Sequence, residues 1–247
     1  MTMIAPGSTI GILGGGQLGR MLAAAANQLG FDVHIYCPET DAPASRGTRR
    51  TWTAEYTDRD ALREFAASCD AVTLEFENIP VEAVEIITQT GVPLHPGTKS
   101  LAVSQDRAEE KAFLNSINIP TAPYELINSA DDIIAALNTL GTEGILKTRR
   151  DGYDGKGQAR VQDAKGAEKA WTSIGQVPAV LEARIPFERE ISVIVARSSR
   201  GETKSWAPPR NIHENGILSR SISPSGLDLK IEADARERAV RLIDALD

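Results

Sequence analysis

Residues 147–158 place a lysine at the end of an apolar run, then two arginines, three glycines within six positions, a tyrosine, an aspartate and a second lysine. Gly152, Gly155 and Gly157 permit backbone conformations closed to other residues, so successive N–H groups can converge on an anion while Lys147 and Lys156 add full positive charges. The chemistry suited to such a set is the binding of phosphate. Tyr153 and Asp154 are bulkier than a merely flexible turn requires. Taken alone, the loop also reads as a hairpin turn with solvated charges.

Other stretches carry chemistry of their own. Residues 14–19 match a dinucleotide fingerprint, with Glu39 placed where a ribose-binding acid would stand. The same turn, with Gly15, Gly16, Gln17 and Leu18 opening a helix, suits any phosphate at a helix N-terminus, a sugar phosphate included, or lets the helix pack closely on a sheet. Glu75 and Glu77 alternate with Phe76, so on a continuing strand both carboxylates point to one side, to receive an amine or hydroxyl or to be solvated. Glu182 ends an apolar strand, and the backbone of Ala183, Arg184 and Ile185 can meet the edge of a base such as adenine. Glu190 opens a hydrophobic run. His213 has no second histidine at metal-binding spacing and reads first as a hydrogen-bonding loop residue.

The elements that must position these residues come in two styles. Strands at 9–13, 31–36, 71–74 and 92–94 alternate with helices at 17–29, 58–68 and 81–88, the pattern of a parallel sheet covered on both faces. Ligands of such sheets sit at the carboxyl ends of the strands, which selects 14–20, the loop 38–50 and 75–78. After a helix at 105–116, Pro120 and Pro123 punctuate a junction, and a smaller set follows: strands 124–127, 144–147, 158–161 and 179–182 with helices 130–140 and 164–173. That is the anatomy of a lid. The segment 208–217 joins two strands, and apolar residues at 227, 231, 235, 239, 242 and 246 suit an amphipathic helix. The fold class expected is α/β, with domains at 1–103, 104–185 and 186–247.

Composition narrows the function. A net charge of −7 gives no general field for a nucleic-acid backbone, despite local basic pairs at Arg49–Arg50 and Arg149–Arg150. Two cysteines, Cys37 and Cys69, make neither a disulfide scaffold nor a cysteine-rich zinc site. Without a secretory segment or about 18 consecutive apolar residues, the chain reads as cytoplasmic, with no membrane or nucleic-acid partner.

The motifs in order are 14–22, 75–78, Asp106 and Arg107 with Lys111, 152–157, and 211–218. Together they resemble the N5-carboxyaminoimidazole ribonucleotide synthetases, ATP-grasp enzymes of purine biosynthesis, across nearly the whole chain. The resemblance implies a Rossmann-like pre-ATP-grasp domain followed by an ATP-grasp domain. It also implies a ligase that uses ATP and bicarbonate to carboxylate 5-aminoimidazole ribonucleotide through carboxyphosphate, working as a homodimer. By resemblance, Arg107 and Lys147 approach the ATP phosphates, residues 152–158 up to Gln158 close over them, Glu182 to Ile185 hold the adenine, Glu190 meets the ribose and His213 lies at the nucleotide site. Tyr153, Asp154 and Lys156 are the catalytic candidates; Gly15 to Leu18, Glu75 and Glu77 shape the substrate site.

One departure accompanies the resemblance. The family brings Mg²⁺ to the phosphates with two acidic ligands on later strands, the second in an Asn–Glu pair, and residues 1–247 contain no such segment. The sequence is therefore expected to be a shortened form of a longer protein, with no metal ligand of its own and no turnover alone. A nicotinamide oxidoreductase, another ATP-grasp ligase and a non-catalytic nucleotide-binding module are the competing readings.

Overall fold

A computed structural model describes residues 3–246 apart from 154 and 215. The chain forms two compact units, Met1–Ala102 and Val103–Asp247.

In the first unit, β1 (Thr9–Leu13), β2 (Asp32–Cys37), β3 (Arg50–Thr53) and β4 (Ala71–Leu74) form a parallel sheet in the order β3-β2-β1-β4. Helices α1 (Gln17–Gln28), α2 (Arg59–Ala67) and α3 (Val81–Thr88) connect it, and α4 (Thr98–Gln105) follows. One core cluster gathers Leu13, Tyr36, Trp52, Leu62, Phe65 and Ile87; another gathers Ile12, Ala23, Val33, Ile35 and Ala44. This is how a sheet buried on both faces is filled. Two expectations change here. The strand expected at 92–94 is a single parallel bridge between Val72 and Leu94, too short to extend the sheet, while Arg50–Thr53, at the end of what was read as a loop, pairs with β2. Trp52 explains the addition, since its buried ring packs edge-on against Phe65 at 5.5 Å.

The second unit opens with α5 (Arg107–Ser116). Its N-cap is Asp106, whose carboxylate accepts from Ala108 N, so the helix expected from 105 begins two residues later. β5 (Tyr124–Ile127), α6 (Ala130–Leu140), β6 (Gly144–Thr148), β7 (Gln158–Val161), α7 (Ala167–Ser173) and β8 (Ala179–Ala183) follow. The strands form an antiparallel sheet ordered β5-β8-β6-β7, with Ile133, Leu146, Val161, Trp171 and Leu181 in the core between sheet and helices. β9 (Glu190–Ile191), β12 (Arg210–Glu214) and β13 (Ile217–Ile222) make a second sheet, and β10 (Val195–Arg197) with β11 (Thr203–Ser205) a hairpin. The segment 208–217 thus contains a strand rather than merely joining two. The amphipathic helix exists as α8 (Leu229–Leu246), tied to β10 by Arg197 and Asp244 at 3.0 Å, with none of its described residues buried. Among the described residues, no helix is long and apolar enough to cross a membrane.

Candidate nucleotide site

Strand alternation divides the lid sheet into two faces. Leu146 and Thr148 on β6 are buried, whereas Lys147 between them is only partly covered. Lys147 therefore projects from the face opposite the packed core. There its Nζ lies 2.8 Å from Glu182 Oε2 on β8, and Lys111 Nζ, reaching from α5, lies 3.1 Å from the other oxygen, Oε1. Lys111 and Glu182 side chains are only 11% and 12% exposed, so the pairing is close to fully desolvated. Burial raises the Glu182 carboxyl, but the Lys147 hydrogen bond and the charges of Lys147 and Lys111 outweigh it and leave the group below its ordinary value. Glu182 is a carboxylate at neutral pH. Burial has the opposite outcome at neighbouring Glu110, where it raises the carboxyl despite Arg107, Lys111 and Lys147.

β6 ends at the glycine loop, and Arg107 braces its base. Arg107 N donates to Arg149 O at 2.9 Å, Nε to Thr148 O at 3.1 Å and Nη2 to Gly152 O at 3.1 Å. The loop closes on itself through Thr148 N to Gly157 O, 2.8 Å, and Lys156 N to Tyr153 O, 2.7 Å. Gly155 and Gly157 have φ of +77° and +69°, the left-handed region. Lys156 Nζ donates to Tyr153 Oη at 3.0 Å and lies 4.6 Å from the ring centroid. Asp154 lies outside the described residues. Asp106 anchors the other side of the loop base: its carboxylate, 6% exposed, takes Arg149 Nε at 2.8 Å and Arg150 Nε at 3.4 Å.

Glu190 on β9 pairs in register with Asn211 on β12, and its Oε1 lies 3.3 Å from His213 Nδ1. The two line a cavity of about 260 Å³ together with Phe187 and Arg210. The turn after His213 returns to the loop: a methyl group on Gly216 would lie 3.5 Å from Gly155 Cα and 3.7 Å from Gln158 Nε2. The glycine loop and the turn of the His213 hairpin therefore lie close together, with the space between them that one methyl group would fill.

The backbone of 182–185 is less available than its sequence suggests. β8 is an inner strand; Ala183 N donates to Pro123 O and Arg184 N to Glu143 O, while the Arg184 guanidinium pairs with Glu143. Ile185 O already accepts from Phe187 N. The Glu182 carboxylate, held between the two lysines, is the polar side chain that this edge presents beside that occupied backbone.

In the first unit, β4 stops at Leu74 as expected and the chain then bends, so the condition under which Glu75 and Glu77 would point to one side, a continuing strand, is not met. The bend turns Glu75 toward the glycine turn, where its Oε2 accepts from Gly16 N at 2.6 Å. Gly15 and Gly19 serve packing: a Cβ on Gly15 would stand 2.6 Å from Ala42 Cβ, and one on Gly19 2.9 Å from Gly14 O. The anion that this turn holds is the chain's own carboxylate, with Gln17 and Leu18 exposed beside it.

Lys111 carries no assigned role in the sequence reading. The available signal is its spacing, four residues after Arg107 and hence one helical turn away on the same face.

The class to which this fold and site belong is the ATP-grasp proteins. A family model of the ATP-grasp domain matches residues 112–247, and one described as the ribonucleotide synthetase preATP-grasp domain matches 7–105. N5-carboxyaminoimidazole ribonucleotide synthase from Brucella melitensis is 46% identical over 248 residues, covering 100% of this chain and 68% of its own length. The Staphylococcus aureus N5-carboxyaminoimidazole synthetase complexed with ADP superposes with a TM-score of 0.91 at 32% identity, over 98% of this chain and 64% of that one. The Aspergillus clavatus enzyme in complex with ADP and 5-aminoimidazole ribonucleotide gives 0.85 at 25%, with the same coverages of 98% and 64%. The chain belongs to the N5-carboxyaminoimidazole ribonucleotide synthase family, and it spans about two thirds of the length of these relatives.

Proposed function

We propose that this chain carries the ATP site and part of the substrate site of an ATP-dependent ligase that carboxylates 5-aminoimidazole ribonucleotide in purine biosynthesis. A bicarbonate oxygen attacks the γ-phosphorus of ATP, ADP departs, and carboxyphosphate forms. The exocyclic amine then attacks the carboxyl carbon; phosphate leaves, the amine gives up a proton, and N5-carboxyaminoimidazole ribonucleotide results. The observation that carries the reading is Lys147, which joins the Glu182 pair to the start of the glycine loop.

Each group has a defined part. Lys147 and Arg107 neutralise phosphate charge, since phosphoryl transfer asks for alignment and electrostatics more than covalent help. Arg107 also fixes the loop from beneath, and residues 152–158, with Asp154 among them, close over the phosphates and keep water from a labile acyl phosphate. Glu182 accepts from the adenine amine, beside the backbone of Ala183 to Ile185; Glu190 takes the ribose, with His213 beside it. Tyr153, Asp154 and Lys156 serve the carboxylation step. Gly15, Gly16, Gln17, Leu18, Glu75 and Glu77 shape the aminoimidazole ribonucleotide site, with Glu75 held in place by Gly16 N–H. The enzyme works in the cytoplasm as a homodimer, with residues 1–103, 104–185 and 186–247 as its successive parts. Mg²⁺ accompanies ATP in this family, but among the described residues no group of three or more His, Cys, Asp or Glu is placed to hold a metal, and no step here runs through one.

The test is phosphate release by the full-length protein. ADP formation should require both 5-aminoimidazole ribonucleotide and bicarbonate, and ¹⁸O from labelled bicarbonate should appear in the phosphate. ATP cleavage that ignores the ribonucleotide, or that runs on formate or biotin instead, removes the assignment.

A further inference from the structure

We infer that Lys111 sets the base preference of the nucleotide site, as a positioning residue that fixes the Glu182 carboxylate without touching the nucleotide itself. The inference rests on the nucleotide-site reading proposed above.

An ammonium group this far out of water is costly unless it is paired, and an apolar side chain of similar length would fill the same space without the charge. Its single carboxylate partner among the described ion pairs is Glu182. Tyr124, which faces Glu182 across the β5–β8 register, adds its ring 5.4 Å from the Lys111 ammonium. The ammonium is thus confined between a ring and a carboxylate oxygen.

The two lysines are not equivalent. Lys147 stands at the head of the glycine loop, so bound phosphate draws on the same ammonium that pairs with Glu182 Oε2. Lys111 sits a helix away, on Oε1. As Lys147 is shared with phosphate, Lys111 keeps Glu182 ionised and its orientation fixed. That orientation matters because an ionised carboxylate only accepts hydrogen bonds. At the position where adenine offers an amine, guanine offers a carbonyl oxygen. A fixed carboxylate attracts the first and repels the second; a carboxylate free to turn or to take a proton distinguishes them poorly.

The alternative is that Lys111 only ties α5 to β8, and base selectivity separates the two roles. Kd values for ADP and GDP are measured by titration calorimetry on the full-length protein, with thermal melts alongside, for wild type, Lys111→Met and Lys111→Arg. Lys111→Met is expected to weaken ADP about tenfold and GDP no more than about twofold, and Lys111→Arg, which retains a donor and the charge, to recover most of the preference. Should Lys111→Met not fold, Lys111→Gln takes its place with the same expected loss of preference. Equal weakening of both nucleotides, or no change in either, overturns the inference while leaving the nucleotide site intact. Wild-type protein that binds neither nucleotide overturns the site reading and the inference together.

Discussion

Gly157→Ala tests whether the glycine loop is built on its own floor. Gly157 has φ of +69°, and an added Cβ would stand 2.6 Å from Thr148 Oγ1 and 3.2 Å from Thr148 Cγ2. Thr148 has little room to yield: it is 7% exposed, and its hydroxyl is buried with no hydrogen-bond partner among the described residues. The left-handed backbone costs alanine about 1–2 kcal/mol, and the overpacking about 1–3 kcal/mol more. The total of about 2–5 kcal/mol corresponds to a loss of roughly 30-fold to several thousand-fold wherever the closed loop is required. Because Gly157 O accepts from Thr148 N at the joint of β6 and β7, the cost divides between sheet stability and nucleotide affinity. Chemical denaturation and ADP titration, taken together, read both. In a Thr148→Ala background the clash disappears and only the backbone cost of about 1–2 kcal/mol should remain, so the double-mutant cycle should show about 1–3 kcal/mol of coupling. If Gly157→Ala costs the same in both backgrounds, the packing argument is wrong; if it costs less than about 0.5 kcal/mol in either, the conformational argument is wrong as well.

Other perturbations separate the remaining contacts. Asp106→Asn should destabilise the second unit by about 1–3 kcal/mol at neutral pH, because Arg149 and Arg150 lose their shared charge partner. Its pH dependence has a definite sign. Burial raises the Asp106 carboxyl, but the Arg149 hydrogen bond, the Ala108 N–H and the two arginine charges bring it below its ordinary value. Its stabilisation is therefore complete above about pH 3.9 and is lost as pH falls through the lower folded value, so urea titrations of Asp106→Asn should show a shallower acid limb than wild type. Glu75→Ala should leave Gly16 N–H without its acceptor and cost about 1–2 kcal/mol in the first unit, with faster amide exchange at Gly16. Unchanged exchange there would mean that the carboxylate does not hold the turn.

Much of the first unit was legible because its strands and helices carry their own periodicity, from Thr9 through Thr88. What escaped was set by tertiary packing. Arg50–Thr53 is too short to announce itself and is a strand because Trp52 finds Phe65 and because His34 to Cys37 offer an open edge. At 75–78, the alternation of acids with Phe76 fixes a shared face only on a continuing strand, and a local bend after Leu74 sends Glu75 to Gly16 instead. The glycine loop at 152–157 was legible because its glycines answer to backbone geometry, a local demand. Lys111 was not: its meaning depends on Glu182, 71 residues later, which spacing along one helix does not reveal.

The same contrast explains how one loop can be both closed and responsive. Its base is over-determined: Arg107 donates to Thr148 O and Gly152 O, Thr148 N binds Gly157 O, and Asp106 holds the two arginines that lead into it. Its tip carries Tyr153, 58% exposed, and Gly155, which lies near the turn at Gly216. A base fixed by so many bonds keeps Lys147 in register with Glu182 whatever the exposed Tyr153 does. Loosening the base at Asp106 should therefore disturb nucleotide affinity through Lys147 and Arg107, whereas removing the Tyr153 hydroxyl, which accepts from Lys156, should leave ADP affinity within about twofold and lower turnover. Tyr153→Phe that weakens ADP as much as Asp106→Asn does would show that tip and base act as one body.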